Sequence, residues 1–410
     1  MTGAQDFSPQ DVRLMQNLAQ RVSALRPELV NSDATVGELA WVWGKDHLDH
    51  GDTWRRRLWF DGSDLAGWGW IYLPYQVMRS DGQLLDVTTT RLIWQVHPYR
   101  PQILDEILDW YPTQASPADL RVTVADADAD AQHRLAAHGY RLDEQASGDH
   151  GSWTQFNRRD LGELPEPMLP PGFRLLTADQ VSPEAAAQAH RDAWHPSSFT
   201  DRAMREVSRI WPYRPDLHVL VQAPDGTMAA TTIMWLDEHN GTAEFEPVGT
   251  HQGYRRQGLA RALLHYGMQQ ARKAGAVQTL VACLGAPAHQ AARALYYDVG
   301  FRPFTREVLY VKPAAPAELR SRMSLHSMTG WATGLAPGPR RAVLPVEPGR
   351  RRDRLPASHR PGPAAWTATF GTLRREPTSA CSCWPGSAKP GSLECRNARR
   401  SPRACSEPAG

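Results

Sequence analysis

The chain has 410 residues, 41% of them hydrophobic and 22% charged, with a formal net charge of +2. That length sets an expectation of two or three domains. No apolar run approaches the ~18 residues that span a bilayer, and Met1 to Phe7 has neither the basic nor the apolar stretch of a signal peptide, so a cytoplasmic protein without a membrane segment is expected. The small net charge hides an asymmetry. Residues 314–410 hold 16 Lys and Arg against 6 Asp and Glu, leaving residues 1–313 with 30 of the 46 basic and 38 of the 44 acidic side chains. An acidic folded part favours a cationic amine over nucleic acid as partner. Cys283 precedes the tail, and Cys381, Cys383, Cys395 and Cys405 lie in it, without paired C-x2-C spacing or a His cluster. Neither a metal site nor a disulfide framework is expected.

In chain order, Ser8-Pro9-Gln10-Asp11 is a helix start, with Ser at the N-cap, Pro at N1 and an acid in the first turn. Val12, Met15, Leu18, Ala19 and Val22 give that helix an apolar face. Leu58 to Phe60, the Asp61-Gly62 turn and Leu65 to Leu73 predict a hairpin. Six tryptophans between Trp41 and Trp70 are expected in the core. Arg91 to His97 predicts a strand, Pro101 to Trp110 a helix, Leu120 to Val124 a strand, Ala131 to His138 a helix ended by Gly139, and Ser152 to Asn157 a strand.

Leu161 to Pro171 carries Pro165, Pro167, Pro170 and Pro171 without periodicity and is expected to be a linker. Beyond it come a strand at Phe173 to Leu176, a helix opened by Ser182-Pro183-Glu184, and a helical stretch from Thr200 to Ile210. A hairpin follows, His218 to Gln222 and Met228 to Trp235 around Asp225-Gly226. Asn240-Gly241, a strong hairpin signal, leads into a strand from Thr242 to Thr250. Gly258 then opens a long helix with Leu259, Leu263, Tyr266 and Ala271 on one stripe. A strand at Val277 to Leu284, a helix at His289 to Asp298 and a strand at Val308 to Val311 complete the order. Ser8-Pro9 corresponds to Ser182-Pro183, Trp94 to Arg100 stands where Pro247 to Arg255 stands, and Gly139-Tyr140-Arg141 corresponds to Gly300-Phe301-Arg302. The chain therefore reads as two copies of one αβ unit of about 150 residues.

The stretch from Thr242 to Ala274 organises the second copy. A helix N-terminus offers unpaired amides and partial positive charge, which suit a phosphate. Gly258 lets a ligand approach the backbone, and Arg255 and Arg256 add charge. Arg255, Gly258 and Ala260 resemble the acyl-CoA-binding signature of the GCN5-related N-acetyltransferase (GNAT) superfamily. Ala294 to Phe301 resembles its closing helix and Gly-Phe turn, and the resemblance covers Pro171 to about Lys312. It implies an α/β chain with a mixed sheet: a degenerate GNAT-like domain at 1–160, a linker at 161–171, an acetyl-CoA-binding GNAT domain at 172–313, and a basic, low-complexity tail at 314–410, expected to be disordered. The layout is similar to that of tandem GNAT proteins such as mycothiol synthase.

The resemblance also implies roles. Val248, Gly249 and Thr250 would pair with the pantetheine arm of acetyl-CoA, and Arg255, Arg256, Gln257, Gly258, Leu259 and Ala260 would cradle its pyrophosphate. Glu244 and Glu246 are the candidate bases for a small-molecule or peptide amine, Glu246 slightly preferred, with one of the two expected to be a solvated strand charge. Tyr296 aligns with the tyrosine that protonates the coenzyme thiolate. His289 replaces a frequent Asn. Cys283, without a His or Asp partner at motif spacing, reads as inert packing, so direct transfer is expected, and His251 and His265 as surface residues. In the first copy, Pro101-Gln102-Ile103-Leu104-Asp105 has no glycine and places acids where phosphate would sit, so that copy is not expected to bind acyl-CoA. The alternatives are a non-catalytic acyl-CoA sensor or scaffold and, more weakly, nucleic-acid binding through Arg350 to Arg354.

Overall fold

The same chemistry starts the first helix of each half. The Ser8 amide donates to the Asp11 carboxylate at 2.7 Å, and the Ser182 hydroxyl accepts from the Ala185 amide at 3.2 Å. The structure, a computed structural model, describes residues 7–115, 119–151, 153–285 and 290–314. The first half contains α1 (Pro9–Leu25), α2 (Val36–His50), β1 (Trp54–Asp61), β2 (Asp64–Tyr72), β3 (Tyr75–Met78), β4 (Leu84–Val87), β5 (Arg91–Val96), α3 (Ile103–Gln114), β6 (Leu120–Ala125), α4 (Ala129–Ala137), β7 (Arg141–Leu142), α5 (Glu144–Ser147) and β8 (Thr154–Asp160). The second contains β9 (Arg174–Thr177), α6 (Pro183–Ala193), α7 (Asp201–Val207), β10 (His218–Gln222), β11 (Met228–Asp237), β12 (Thr242–Thr250), α8 (Leu259–Lys273), β13 (Gln278–Leu284), α9 (Gln290–Asp298) and β14 (Arg302–Lys312). The fold is a mixed α/β one, in which α1-α2-β1-β2-β5-α3-β6-α4-β8 of the first half follows the order of α6-α7-β10-β11-β12-α8-β13-α9-β14 of the second, with β3, β4, β7 and α5 added in the first and β9 in the second. The tail beyond Ala314 and His289 lie outside the described residues.

One twelve-stranded sheet runs β1-β2-β5-β6-β14-β8-β13-β12-β11-β10-β9, with β7 beside β14. β5 and β6 are parallel, as are β12 and β13, and the other neighbours are antiparallel. The halves exchange their last strands. β8, from the first half, pairs with β13 of the second from Gln278↔Asp160 to Leu284↔Thr154. β14, from the second half, pairs with β8 through Arg302–Arg306 and then with β6 through Glu307–Lys312. The closing strand is therefore longer than its apolar run, Val308 to Val311, predicts. Its polar first part is ordered by the ladder to β8 rather than by burial.

The six tryptophans are all buried. Trp41, Trp43, Trp54, Trp68 and Trp70 join a core built from both halves, and Trp59 joins a core of the first half that Val308 and Tyr310 of β14 complete. Leu161, in the proline-rich segment, is buried against the second half, and Arg272 donates to the Gly162 carbonyl at 2.6 Å.

A helix absent from the sequence-based expectation, α2, carries the first half onto the second. Thr35 caps it, its hydroxyl accepting from the Glu38 amide at 3.0 Å. Gly37 and Gly44 lie on its docked face. A Cβ at Gly37 would fall 2.4 Å from the Trp235 ring, and one at Gly44 would fall 2.7 Å from the Val207 Cα. Glycine at both places lets α2 settle on β11 and α7 at a separation no side chain allows. That approach sets Glu38 beside β12.

Candidate active site

Asn240-Gly241 turns the chain into β12. Gly241 takes φ 57°, the left-handed region, and the Asn240 side chain donates to Asp237 at 2.6 Å. Along β12, Ala243 and Phe245 face α8, where Phe245 lies against Gly267. Glu244 alternates to the opposite face, toward α2. Opposite Ile233 of β11 stand two residues of β12, Glu246 and Pro247, which makes a β-bulge there. The Trp235 indole donates to the Glu246 carbonyl at 2.6 Å.

β12 and β13 are paired only from Thr242↔Gln278 to Phe245↔Val281. Beyond Phe245 the strands part, although β13 continues to Leu284. Among the described residues, Val248, Gly249 and Thr250 thus keep β11 on one side and have no strand on the other, the condition in which a ligand's amides can add to a sheet edge. A Cβ at Gly249 would lie 2.4 Å from the Trp194 ring, so only glycine fits under that indole.

The helix start behind this gap is open. Gly258, at φ 81°, is the N-cap of α8 and supplies no side-chain cap. Space for 4 Å around its missing Cβ is empty, so the left-handed backbone requires glycine there, rather than a close protein neighbour. Among the described residues, no protein group accepts from the amides of Leu259, Ala260 or Arg261. Arg256, Gln257 and Gly258 are exposed, Ala260 is half-buried, and the Leu259 side chain is buried in the core so that only its amide faces outward. Arg255 is committed elsewhere. It donates to the carbonyls of Thr250 at 3.1 Å and Ala193 at 3.3 Å, tying the loop to β12 and α6.

The corresponding place in the first half is closed. β5 and β6 pair only at Arg91↔Arg121 and Leu92↔Val122, and the Trp94 indole fills the gap beyond, donating to the Thr123 carbonyl at 3.1 Å. The amides of Ile103, Leu104 and Asp105 are spent on the carbonyls of Arg100, Pro101 and Gln102, each at 3.1 Å. Glu106 in the first turn accepts from the Trp59 indole at 3.0 Å.

Neither candidate base is a solvated strand charge, which corrects the expectation for one of them. Glu244 is 6% exposed, and Glu246 is half-buried. The docking of α2 over this face of the sheet removes the solvent that an isolated strand would have. Burial pushes the Glu244 carboxyl up to about 7, against a hydrogen bond from Thr35, and its Oε2 has no hydrogen-bond partner among the described residues. Burial and then the neighbouring Glu244 charge push Glu246 up, with Lys45 opposing. Glu38 is raised by burial and then by Glu246, Asp33 and Glu244. A third carboxylate, from the other half of the chain, therefore belongs to the cluster. Its one sequence signal is the Thr35-x-x-Glu38 capping pattern ahead of an apolar run.

Tyr296 is buried in the core that Val248 borders, its ring 6.0 Å from that of Phe301. His265 is also buried, on the inner side of α8, and not on the surface as expected. Cys283 is buried with Asn157 Nδ2 at 3.4 Å from its Sγ, and burial raises its thiol pKa, which suits packing rather than nucleophilic attack. Among the described residues, no three His, Cys, Asp or Glu side chains are placed to hold a metal ion. None of the described helices is long and apolar enough to cross a membrane.

A parallel strand pair that opens beside a glycine-capped helix is the architecture of an acyl-CoA-binding fold. Residues 184–301 match the acetyltransferase (GNAT) family. The second half is thus a GNAT domain, and the chain carries an acyl-CoA-dependent acetyltransferase. The chain is similar to a tandem GNAT protein from the clavulanic acid biosynthesis pathway, with 14% identity over 76% of this chain and 98% of that one and a TM-score of 0.51, which shows the tandem fold. A GCN5-related N-acetyltransferase from Sphaerobacter thermophilus is 19% identical over 76% of this chain and 95% of its own, at a TM-score of 0.47. An acetyltransferase from the GNAT family from Colwellia psychrerythraea is 11% identical over 75% and 97%, at 0.44. No curated protein sequence matches the chain.

Proposed function

We propose that the second half alone binds acetyl-CoA and passes its acetyl group directly to a primary amine. The observation that carries this is the parting of β12 from β13 after Phe245, beside the uncapped start of α8. The pyrophosphate sits on the amides opening α8, with Arg256 and Gln257 beside it. The pantetheine arm lies along Val248, Gly249 and Thr250. Arg255 acts from behind, by holding the loop in place. The plugged gap and spent amides of the first half support a single donor site per chain.

An alkyl ammonium, with a pKa near ~10, must lose a proton before it attacks. Glu246 takes that proton, burial and then Glu244 raising its affinity for it. The amine nitrogen bonds to the thioester carbon, the Val248 amide stabilises the oxyanion, and the carbon–sulfur bond then breaks. The sulfur leaves as thiolate and takes a proton from Tyr296, the acylated nitrogen gives up its second proton, which restores the tyrosine through solvent, and the products are an amide and free coenzyme. The acceptor is a small-molecule or peptide amine.

The test is release of free thiol from acetyl-CoA with a panel of amines, repeated on Glu246→Gln, Glu244→Gln and Tyr296→Phe. The expected result is amine-dependent release that Glu246→Gln lowers by about a hundredfold or more. Binding of acetyl-CoA without release by any amine would identify a sensor or scaffold instead.

A further inference from the structure

Laid along Thr250, Gly249 and Val248, the pantetheine arm carries its thioester to the Val248 amide and its acyl group onward, toward the point where β12 and β13 rejoin at Phe245↔Val281. Glu246 and Pro247, the two residues of the bulge, stand between. In the plane of the sheet the acyl group runs up against paired backbone, so added carbons must leave that plane. Toward α8 there is no room, since Phe245, Leu263, Tyr296 and Phe301 are all buried in one core there, the Phe245 and Phe301 rings 6.2 Å apart. On the opposite face Glu246 serves the amine, and Pro247 opens on a cavity of about 10 Å³.

Trp41 of α2, His190 of α6, Met204 of α7, Ile233 of β11 and Phe199, between α6 and α7, line this cavity with Pro247. At roughly 10–15 Å³ for each water-sized group, it takes one. Its walls are largely aromatic and packed on one another. Trp41 stacks on Phe199 at 5.3 Å, His190 lies 4.2 Å from Phe199 and stacks on Trp194 at 4.4 Å, and the Trp194 ring closes over Gly249. His190 Nδ1 is buried with no hydrogen-bond partner among the described residues, and burial pushes that imidazole well below its ordinary pKa, so the ring brings no charge to the cavity. The wall from α2 has little freedom to step back, because Gly37 and Gly44 seat that helix directly on Trp235 and Val207.

We propose that this cavity receives the methyl group of the donor, and that Trp41 and Phe199 hold the donor to acetyl-CoA by refusing a longer acyl chain. The inference rests on the donor site proposed above and names the residues that select its acyl group. One methyl is water-sized and fills the space. Each further methylene must push a ring out of a packed stack, which is the condition for overpacking. Trp41 comes from the half whose own strand gap is closed by Trp94, so the first half takes part in choosing the donor that the second half holds.

The experiment measures free-thiol release by the full chain, with the panel of amines, from acetyl-CoA, propionyl-CoA and butyryl-CoA in turn. The expected kcat/KM for acetyl-CoA exceeds that for propionyl-CoA by at least about tenfold, and butyryl-CoA falls lower still. Phe199→Ala removes one wall and should shrink the acetyl-to-propionyl ratio by at least about tenfold, whereas lost packing alone would lower both donors together and leave the ratio in place. Should Phe199→Ala fail to fold, the ranking by the unaltered chain decides. A ratio below about tenfold in the unaltered chain, or an unchanged ratio in a folded Phe199→Ala, overturns the inference and leaves acyl transfer standing. No amine-dependent thiol release from any of the three donors overturns acyl transfer, and the selection of its donor with it.

Discussion

The carboxyl of Glu244 keeps its proton to about pH 7 in the folded chain, where an unfolded chain releases it near ~4.5. Because the folded pKa is raised, stability falls as pH rises from the unfolded value to the folded one and is level above it. Glu244→Gln is therefore expected to stabilise the protein by about 2–3 kcal/mol at pH 8 and by almost nothing at pH 4, read as the shift in Tm at each pH. The same burial shapes catalysis. Since the base, Glu246, must be ionised and is pushed up to about 8, kcat/KM for an amine should rise through the region of pH 8 and level off above it. Glu38, from the other half of the chain, is itself raised well above the usual carboxylate range, by burial and then by Glu246. Glu38 therefore holds its proton while Glu246 titrates, so Glu38→Gln should leave the acidic limb of that profile in place, whereas Glu244→Gln should move it lower.

At the scale of elements, α2 decides whether the site exists. Its glycines admit Trp235 and Val207, and the closeness of that packing is what dehydrates Glu244 and Glu246. Gly37→Ala should cost about 1–3 kcal/mol by overpacking, despite the better helix propensity of alanine, and should lower the Tm. Much of the architecture was legible beforehand. Asn240-Gly241 and Asp61-Gly62 mark hairpins that are present, and Gly258 opens a helix at Leu259. These signals are local: a left-handed glycine or an alternating pattern acts within a few residues. α2 escaped because its apolar positions are crowded with tryptophan and interrupted by glycine, and because Thr35 and Glu38 read as a cap only once a helix is suspected. The neighbour of each strand was not legible either. Alternation states which face of Thr154 to Asp160 is buried, not that β13, from the other half, lies beside it.

Over the whole molecule, the strand exchange makes the halves interdependent. Residues 172–313 alone would lack β8, leaving the full length of β13 as an unpaired edge and β14 without its first partner. That segment is expected to be aggregated or unfolded by circular dichroism, whereas residues 1–314 should fold and unfold in a single transition. The asymmetry between the halves makes one of them the binding unit and the other its wall. Trp94 closes the first strand gap while the second stands open, and α2 of the first half roofs the acids of the second. The most direct test of that division of labour is a calorimetric titration of the chain with acetyl-CoA. One site per chain is the predicted stoichiometry, and two sites, or none, would contradict it.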